Sequence, residues 1–250
     1  MITKHKKTLS VWQYLALGYL AVVAIGTLLL CLPFSTASGK SAPFLNALFT
    51  STSATCVTGL VPYDTATHWS GFGQGVILLL IQLGGLGFMT FVTVIFQLIG
   101  KNMGVSKSRA LMLSSGEDDR ADLKRLLRRI LLGTLLFEAV GAILLCVRFI
   151  PDFGAGKGIW FSVFHSVSAF CNAGFDVMGT QSAKFVSLTA YATDPLVVLT
   201  IAGLIVVGGL GFCVWDDVLE KKGKIKNFRL HTKIVLSFTA ILLVIPTILF

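Results

Sequence analysis

Two short stretches of this chain combine residue types suited to holding a bare cation. The first reads Thr55-Cys56-Val57-Thr58-Gly59-Leu60 and the second Cys171-Asn172-Ala173-Gly174-Phe175. Each follows an apolar segment, Ala42 to Ala54 or Gly158 to Phe170, that falls short of the roughly 20 residues a bilayer crossing needs. Such a segment dips in and turns back. Gly59 and Gly174 suit the turn, because glycine takes positive φ and lets the backbone approach a ligand. Successive carbonyl oxygens then face one axis and replace a cation's hydration shell. The helices ahead of them aim their partially negative C-terminal ends at the same point. Thr58 offers a hydroxyl oxygen. Asp64 and Asp176 follow the two bends on the outer side, where carboxylates concentrate cations. For either copy alone, an interfacial helix with a loop glycine is an equal reading. The recurrence of both in the same order favours pore loops.

The elements that must position these bends are membrane elements. The chain is 54% hydrophobic and 13% charged, against about 25% charge in a soluble domain. This composition implies an all-α polytopic membrane protein. The net charge of +9 invites a nucleic-acid partner, but its distribution argues for membrane topology instead. All basic residues except Lys40, Arg148, Lys157 and Lys184 lie in three zones: Lys4 to Lys7, Lys101 to Arg129, and Lys221 to Lys233. That asymmetry is the positive-inside pattern, with a cytoplasmic N-terminus and a bilayer as the partner. The start Lys4-His5-Lys6-Lys7 leads into an apolar run from Val11 to Leu32 without a small-residue cleavage site, so it reads as a retained span.

The organisation follows in repeats. Residues 1–100 form a first helix–pore loop–helix unit: an outer helix from Ser10 to Leu32, the first dip, and a returning helix from Trp69 to Leu98, with Trp69 as an interfacial anchor. Residues 101–124 are a cytosolic connector. Residues 125–219 form a second unit, with spans from Ile130 to Val147 and from Pro195 to Val214 around the second dip. Residues 220–231 are a cytosolic loop, and 232–250 begin a third unit. The last span stops at Phe250 with no polar flank, so the chain reads as an N-terminal portion of a longer architecture. Gly84-Gly85-Leu86-Gly87-Phe88 and Gly208-Gly209-Leu210-Gly211-Phe212 lie in the two returning spans, where small residues allow close helix packing.

Other chemistry finds no support. Gly154-Ala155-Gly156-Lys157-Gly158 lacks the strand and the Ser/Thr of a phosphate loop. The five cysteines have no metal or disulfide spacing. No enzymatic motif is present. Glu138, in mid-span, is expected in a structural hydrogen bond rather than in ion handling, and His165 is expected as a packing residue.

Thr55 to Leu60, Asn172 to Asp176, and the segments Gln82 to Phe88 and Val207 to Phe212 together resemble the KtrB/TrkH/HKT superfamily of potassium transporters, over essentially the whole chain. The resemblance implies four helix–pore loop–helix repeats around one pathway. It makes Thr55–Gly59 and Cys171–Phe175 two of four selectivity-filter strands, with Gly59 and Gly174 as their key glycines. The first repeat starts directly after Lys7, which is more similar to the KtrB branch than to the TrkH branch with its extra leading helices. That branch implies potassium uptake across the plasma membrane, a homodimer, a cytosolic ring of KtrA-type nucleotide-binding subunits, and sodium as an activator. The chain departs from the family in length: two filter strands and the gating loop of the third repeat are missing. The alternative is therefore a nonconducting fragment, or a scaffold or assembly partner.

Overall fold

The computed structural model describes residues 11–87, 120–221 and 223–249. Among them regular structure is helical, apart from one isolated bridge between Thr36 and Trp69. The chain packs as two units. One comprises Met1–Leu127 with Ala173–Ala192, the other Arg128–Asn172 with Thr193–Phe250.

In the first unit, α1 (Val11–Leu30) is apolar and uncharged, and a 3₁₀ turn at Pro33–Ser35 ends it. Next, α2 (Phe44–Thr55) has 12 residues, about 18 Å of helix, well short of the ~30 Å hydrocarbon core. Its buried face is small and hydroxyl-rich: Ala47, Thr50, Ser51, Ser53, Ala54 and Thr55. Burial of such hydroxyls is tolerable where they find hydrogen-bond partners; Thr55 Oγ1 is the exception, buried without one among the described residues. Thr50 donates to Asn46 O at 2.9 Å, and Ser51 donates across to Val23 O of α1 at 2.9 Å. Gly26 makes that approach possible, since a Cβ there would sit 2.5 Å from Ser51 Oγ and 2.7 Å from Leu80 Cδ1. A short helix, α3 (Thr65–His68), precedes α4 (Gly71–Gly85), which Ser70 caps by accepting the Gly73 amide at 3.2 Å.

The start of the returning helix therefore differs from the sequence expectation. Trp69 is not an interfacial anchor: it is 2% exposed, and its carbonyl accepts Gln74 Nε2 at 3.2 Å. The chain doubles back on the Pro33–Ser35 turn here, and Gly73 packs against both Ser35 O and Trp69 Cβ. Residues 88–98 of the expected helix, and 101–119 of the connector, lie outside the described residues.

The second unit begins within α5 (Arg120–Phe153), whose stretch Arg128–Phe153 is long and apolar enough to cross a membrane. Gly154, at φ 79°, ends it, and α6 (Ala155–Phe170) folds straight back. A Cβ on Gly158 would lie 2.7 Å from Ile150 Cα, so only glycine fits this hairpin. Ser166 donates to Glu138 O at 2.7 Å, and Gly141 faces Ser166 and Leu204. These contacts repeat the Ser51, Val23, Gly26 and Leu80 arrangement of the first unit. Asp194 caps α7 (Pro195–Gly209) and also binds Arg148 Nε at 2.7 Å, tying it to α5.

The expected single span from Pro195 to Val214 is broken. After α7 the chain turns by 89° into α8 (Phe212–Glu220). Gly211 stands at φ 86°, a conformation a right-handed helix cannot continue through. Trp215 holds the bend: its indole donates to Val207 O at 3.1 Å, and its ring packs on Phe137, Phe170 and Phe212. Asp216 pairs with Arg129 of α5, and buried Asp217 accepts the Arg229 amide at 2.8 Å ahead of α9 (Leu230–Leu249). Like Arg128–Phe153, α9 is long and apolar enough to cross a membrane.

Candidate functional site

Both candidate bends leave their helices in the same way. After α2, Cys56 N–H still bonds Thr52 O at 2.8 Å, and Thr58 N–H reaches back to Ser53 O at 2.9 Å. After α6, Cys171 N–H bonds Val167 O at 2.9 Å, and Asn172 N–H bonds Ala169 O at 3.0 Å. The second residue past each helix is left-handed, Val57 at φ 57° and Asn172 at φ 58°. Gly59 and Gly174 both stand at φ 73°. Asparagine tolerates the left-handed region, but a β-branched valine there is an outlier. Strain of this kind persists only where the surroundings hold it, and it concentrates at functional sites. Nothing in the sequence flags Val57 as left-handed.

Within the first unit the two glycines meet. A Cβ on Gly59 would lie 2.5 Å from the Ala173 carbonyl oxygen and 3.4 Å from Gly174 Cα. A Cβ on Gly174 would find Gly59 Cα at 3.8 Å. The predicted residues Gly59, Ala173 and Gly174 thus converge with main chain facing main chain. Ala173 and Phe175 are buried; Cys56, Thr58, Asn172 and Gly174 are exposed. Thr55 is buried at the end of α2 and Cys171 at the end of α6. The Thr58 hydroxyl donates to Ser53 Oγ at 2.9 Å, which leaves its oxygen lone pairs available.

The two aspartates differ. Asp64 is 4% exposed. One oxygen accepts the Thr67 amide and hydroxyl, both at 2.8 Å, and the other accepts the Phe185 amide at 2.8 Å. Gly179 leaves no room for a Cβ beside it, with Asp64 Oδ2 at 2.1 Å from that position. Asp64 is thus a helix cap and an anchor for the segment around 179–185. Asp176 is half-buried and accepts the Met178 amide at 3.2 Å. Burial pushes its carboxyl above the ordinary aspartate value, the Met178 amide pulls it back, and the Asp64 charge pushes it up again.

Glu138 is 7% exposed, on the face of α5 that meets α6. His165 is buried, with Nδ1 2.7 Å from Phe161 O, the setting of a packing histidine. Sequence reasoning missed the paired seats at Gly26 and Gly141. Their signal was there: each precedes its serine, Ser51 or Ser166, by the same spacing.

A family model described as "TrkH: Cation transport protein" matches residues 12–250. The chain is 43% identical, over its whole length, to the potassium/sodium uptake protein NtpJ of Enterococcus hirae, covering 54% of that protein. It is 39% identical to Ktr system potassium uptake protein B of Bacillus subtilis over 92% of this chain and 50% of the relative, and 38% identical to that of Vibrio alginolyticus over 95% and 51%. The chain therefore belongs to the TrkH family of membrane cation transport proteins. It spans about half the length of these relatives.

Proposed function

We propose that this chain forms part of the potassium pathway of a Ktr-type uptake protein in the plasma membrane. The observation that carries the reading is the convergence of Gly59 with Ala173 and Gly174, two left-handed glycines with main chain opposed and no side chain between. Potassium sheds water at the outer mouth, near Asp176. Carbonyl oxygens of Thr55–Gly59 and Cys171–Phe175 then replace that water. Irregular backbone is tolerated at membrane depth only where protein or a watery pathway surrounds it. The α1–α2–α4 and α5–α6–α7 assemblies are two helix–pore loop–helix repeats of a four-repeat ring, and α9 opens a third. The N-terminus lies in the cytoplasm, as the basic zones require.

On the same reading the full protein is a homodimer, each protomer with its own pathway. It works with a KtrA-type nucleotide-binding ring on the cytosolic side, and sodium assists. Relatives named as parts of a Ktr system support a multicomponent assembly. The second reading is a scaffold or assembly partner within such a multicomponent system.

Ion flux separates the two readings. In the full-length protein, produced in a bacterium lacking its own potassium uptake, Gly59→Asp or Gly174→Asp is expected to abolish selective uptake while leaving membrane insertion intact. Undiminished growth at low potassium would refute the filter assignment. For residues 1–250 alone, binding without potassium-dependent flux would favour the scaffold.

A further inference from the structure

Each Gly-Gly-Leu-Gly-Phe element meets a re-entrant helix at the same place. A Cβ on Gly84 would lie 2.2 Å from Thr55 O and 2.9 Å from Val57 Cγ2. A Cβ on Gly208 would lie 1.8 Å from Phe170 O. Thr55 and Phe170 are the last residues of α2 and α6, so these carbonyls sit where each bend begins. Carbon and carbonyl oxygen in favourable contact keep about 3.3 Å or more, and only glycine leaves that space. The obstructing atom is main chain and cannot swing aside as a side chain would.

The neighbouring glycine is not equivalent, since a Cβ on Gly209 meets only Asn172 Nδ2, at 3.7 Å. The third glycine of each element, Gly87 at φ 77° and Gly211 at φ 86°, stands just past the last turn of α4 or α7. The seat therefore falls in the final helical turn both times. General close packing would be met by small residues anywhere along the interface. Here one glycine of the element lies under the same carbonyl in each unit.

We infer that Gly84 and Gly208 are positioning residues for cation selection. Each seats the carbonyl that opens a bend, and so sets the height and tilt of the carbonyls that follow it. Neither touches the ion. This role rests on the filter reading proposed above, and it moves the Gly-Gly-Leu-Gly-Phe elements from helix packing to filter alignment.

The test uses the full-length protein in potassium-uptake-deficient cells, with membrane content measured alongside uptake. Gly84→Ala and Gly208→Ala are expected to raise the potassium KM about tenfold, as small misplacements of a binding geometry do, and to narrow the preference for potassium over sodium. Gly209→Ala is expected to do neither. A fall in maximum rate alone, in proportion to membrane content and with KM and ion preference unchanged, overturns the inference. So does the absence of both variants from the membrane while Gly209→Ala accumulates normally, because the glycines would then serve assembly. Gly59→Asp in the same cells separates the two levels. If it leaves potassium preference intact, the filter reading fails. If it abolishes that preference while the Gly84 and Gly208 variants keep a normal KM, only the positioning role fails.

Discussion

Replacing Gly59 by alanine tests the geometry on which the proposed cation selection rests. Two costs add. Holding alanine at φ 73° costs about 1–2 kcal/mol. The new Cβ also meets the Ala173 carbonyl oxygen at 2.5 Å. Restoring an ordinary carbon–oxygen contact displaces one backbone by about 0.8 Å, and such overpacking costs about 1–3 kcal/mol more. The sum, about 2–5 kcal/mol, is a stability cost; only the displacement part bears on the ion, and where potassium binding must draw the carbonyl back into place that 1–3 kcal/mol is about fivefold to a hundredfold in potassium affinity. Two controls separate the terms. Gly39 stands at φ 70° with nothing within 4 Å of a Cβ, so Gly39→Ala carries strain without displacement. Gly174→Ala meets only Gly59 Cα at 3.8 Å, so it too adds strain without a clash. The expected order of damage is Gly59→Ala well above Gly174→Ala, with Gly39→Ala leaving ion affinity unchanged. The assay is potassium KM by uptake in deficient cells expressing the full-length protein, beside melting in detergent. Equal KM values for the Gly59 and Gly39 variants would refute the argument that the Ala173 carbonyl lies on the ion path.

Three further outcomes are expected. Asp176 has a raised pKa, so its ionised form costs folding stability: the stabilising protonated form is present at low pH and lost as pH rises through that raised value. Asp176→Asn should therefore raise the melting temperature at neutral pH more than in acid, and should flatten a decline of uptake as external pH falls; an unchanged uptake profile would remove Asp176 from the outer mouth. Asp64→Ala strands the Thr67 and Phe185 amides and should cost about 2–4 kcal/mol, read as a lower melting temperature and faster proteolysis around 179–185. A cysteine at exposed Lys224 should react with an impermeant maleimide in inverted vesicles and not in intact cells, as its place in a basic zone requires; labelling from outside would reverse the topology.

Helix limits were largely legible, because they depend on local properties. The short α2 and α6 follow from the length of the apolar runs between Ser41 and Thr55 and between Lys157 and Phe170, and the end of α1 follows from Pro33, whereas α5 runs past the expected limit at Val147 to Phe153 before Gly154 stops it. Where the expectation failed, a distant partner overrode the local pattern. The indole of Trp69 has the character of an interfacial anchor, but the chain returning past Thr36 and Ser35 buries it. The run from Pro195 to Val214 is apolar enough for one span, but Gly211 turns it and Trp215 locks the turn against Phe170 and Val207.

Composition, charge distribution and the spacing of the twin motifs were enough to define the class of protein and the residues worth suspecting, because hydropathy and glycine content are carried by each residue wherever it sits. What required tertiary structure was which atoms face each other. Gly59 opposite Ala173, Gly84 beneath Thr55, Gly208 beneath Phe170, and Asp64 spent on the amides of Thr67 and Phe185 are approaches between main-chain atoms far apart in the chain. A glycine that admits a carbonyl and a glycine that merely ends a helix are the same letter; only the neighbour brought in by folding tells them apart.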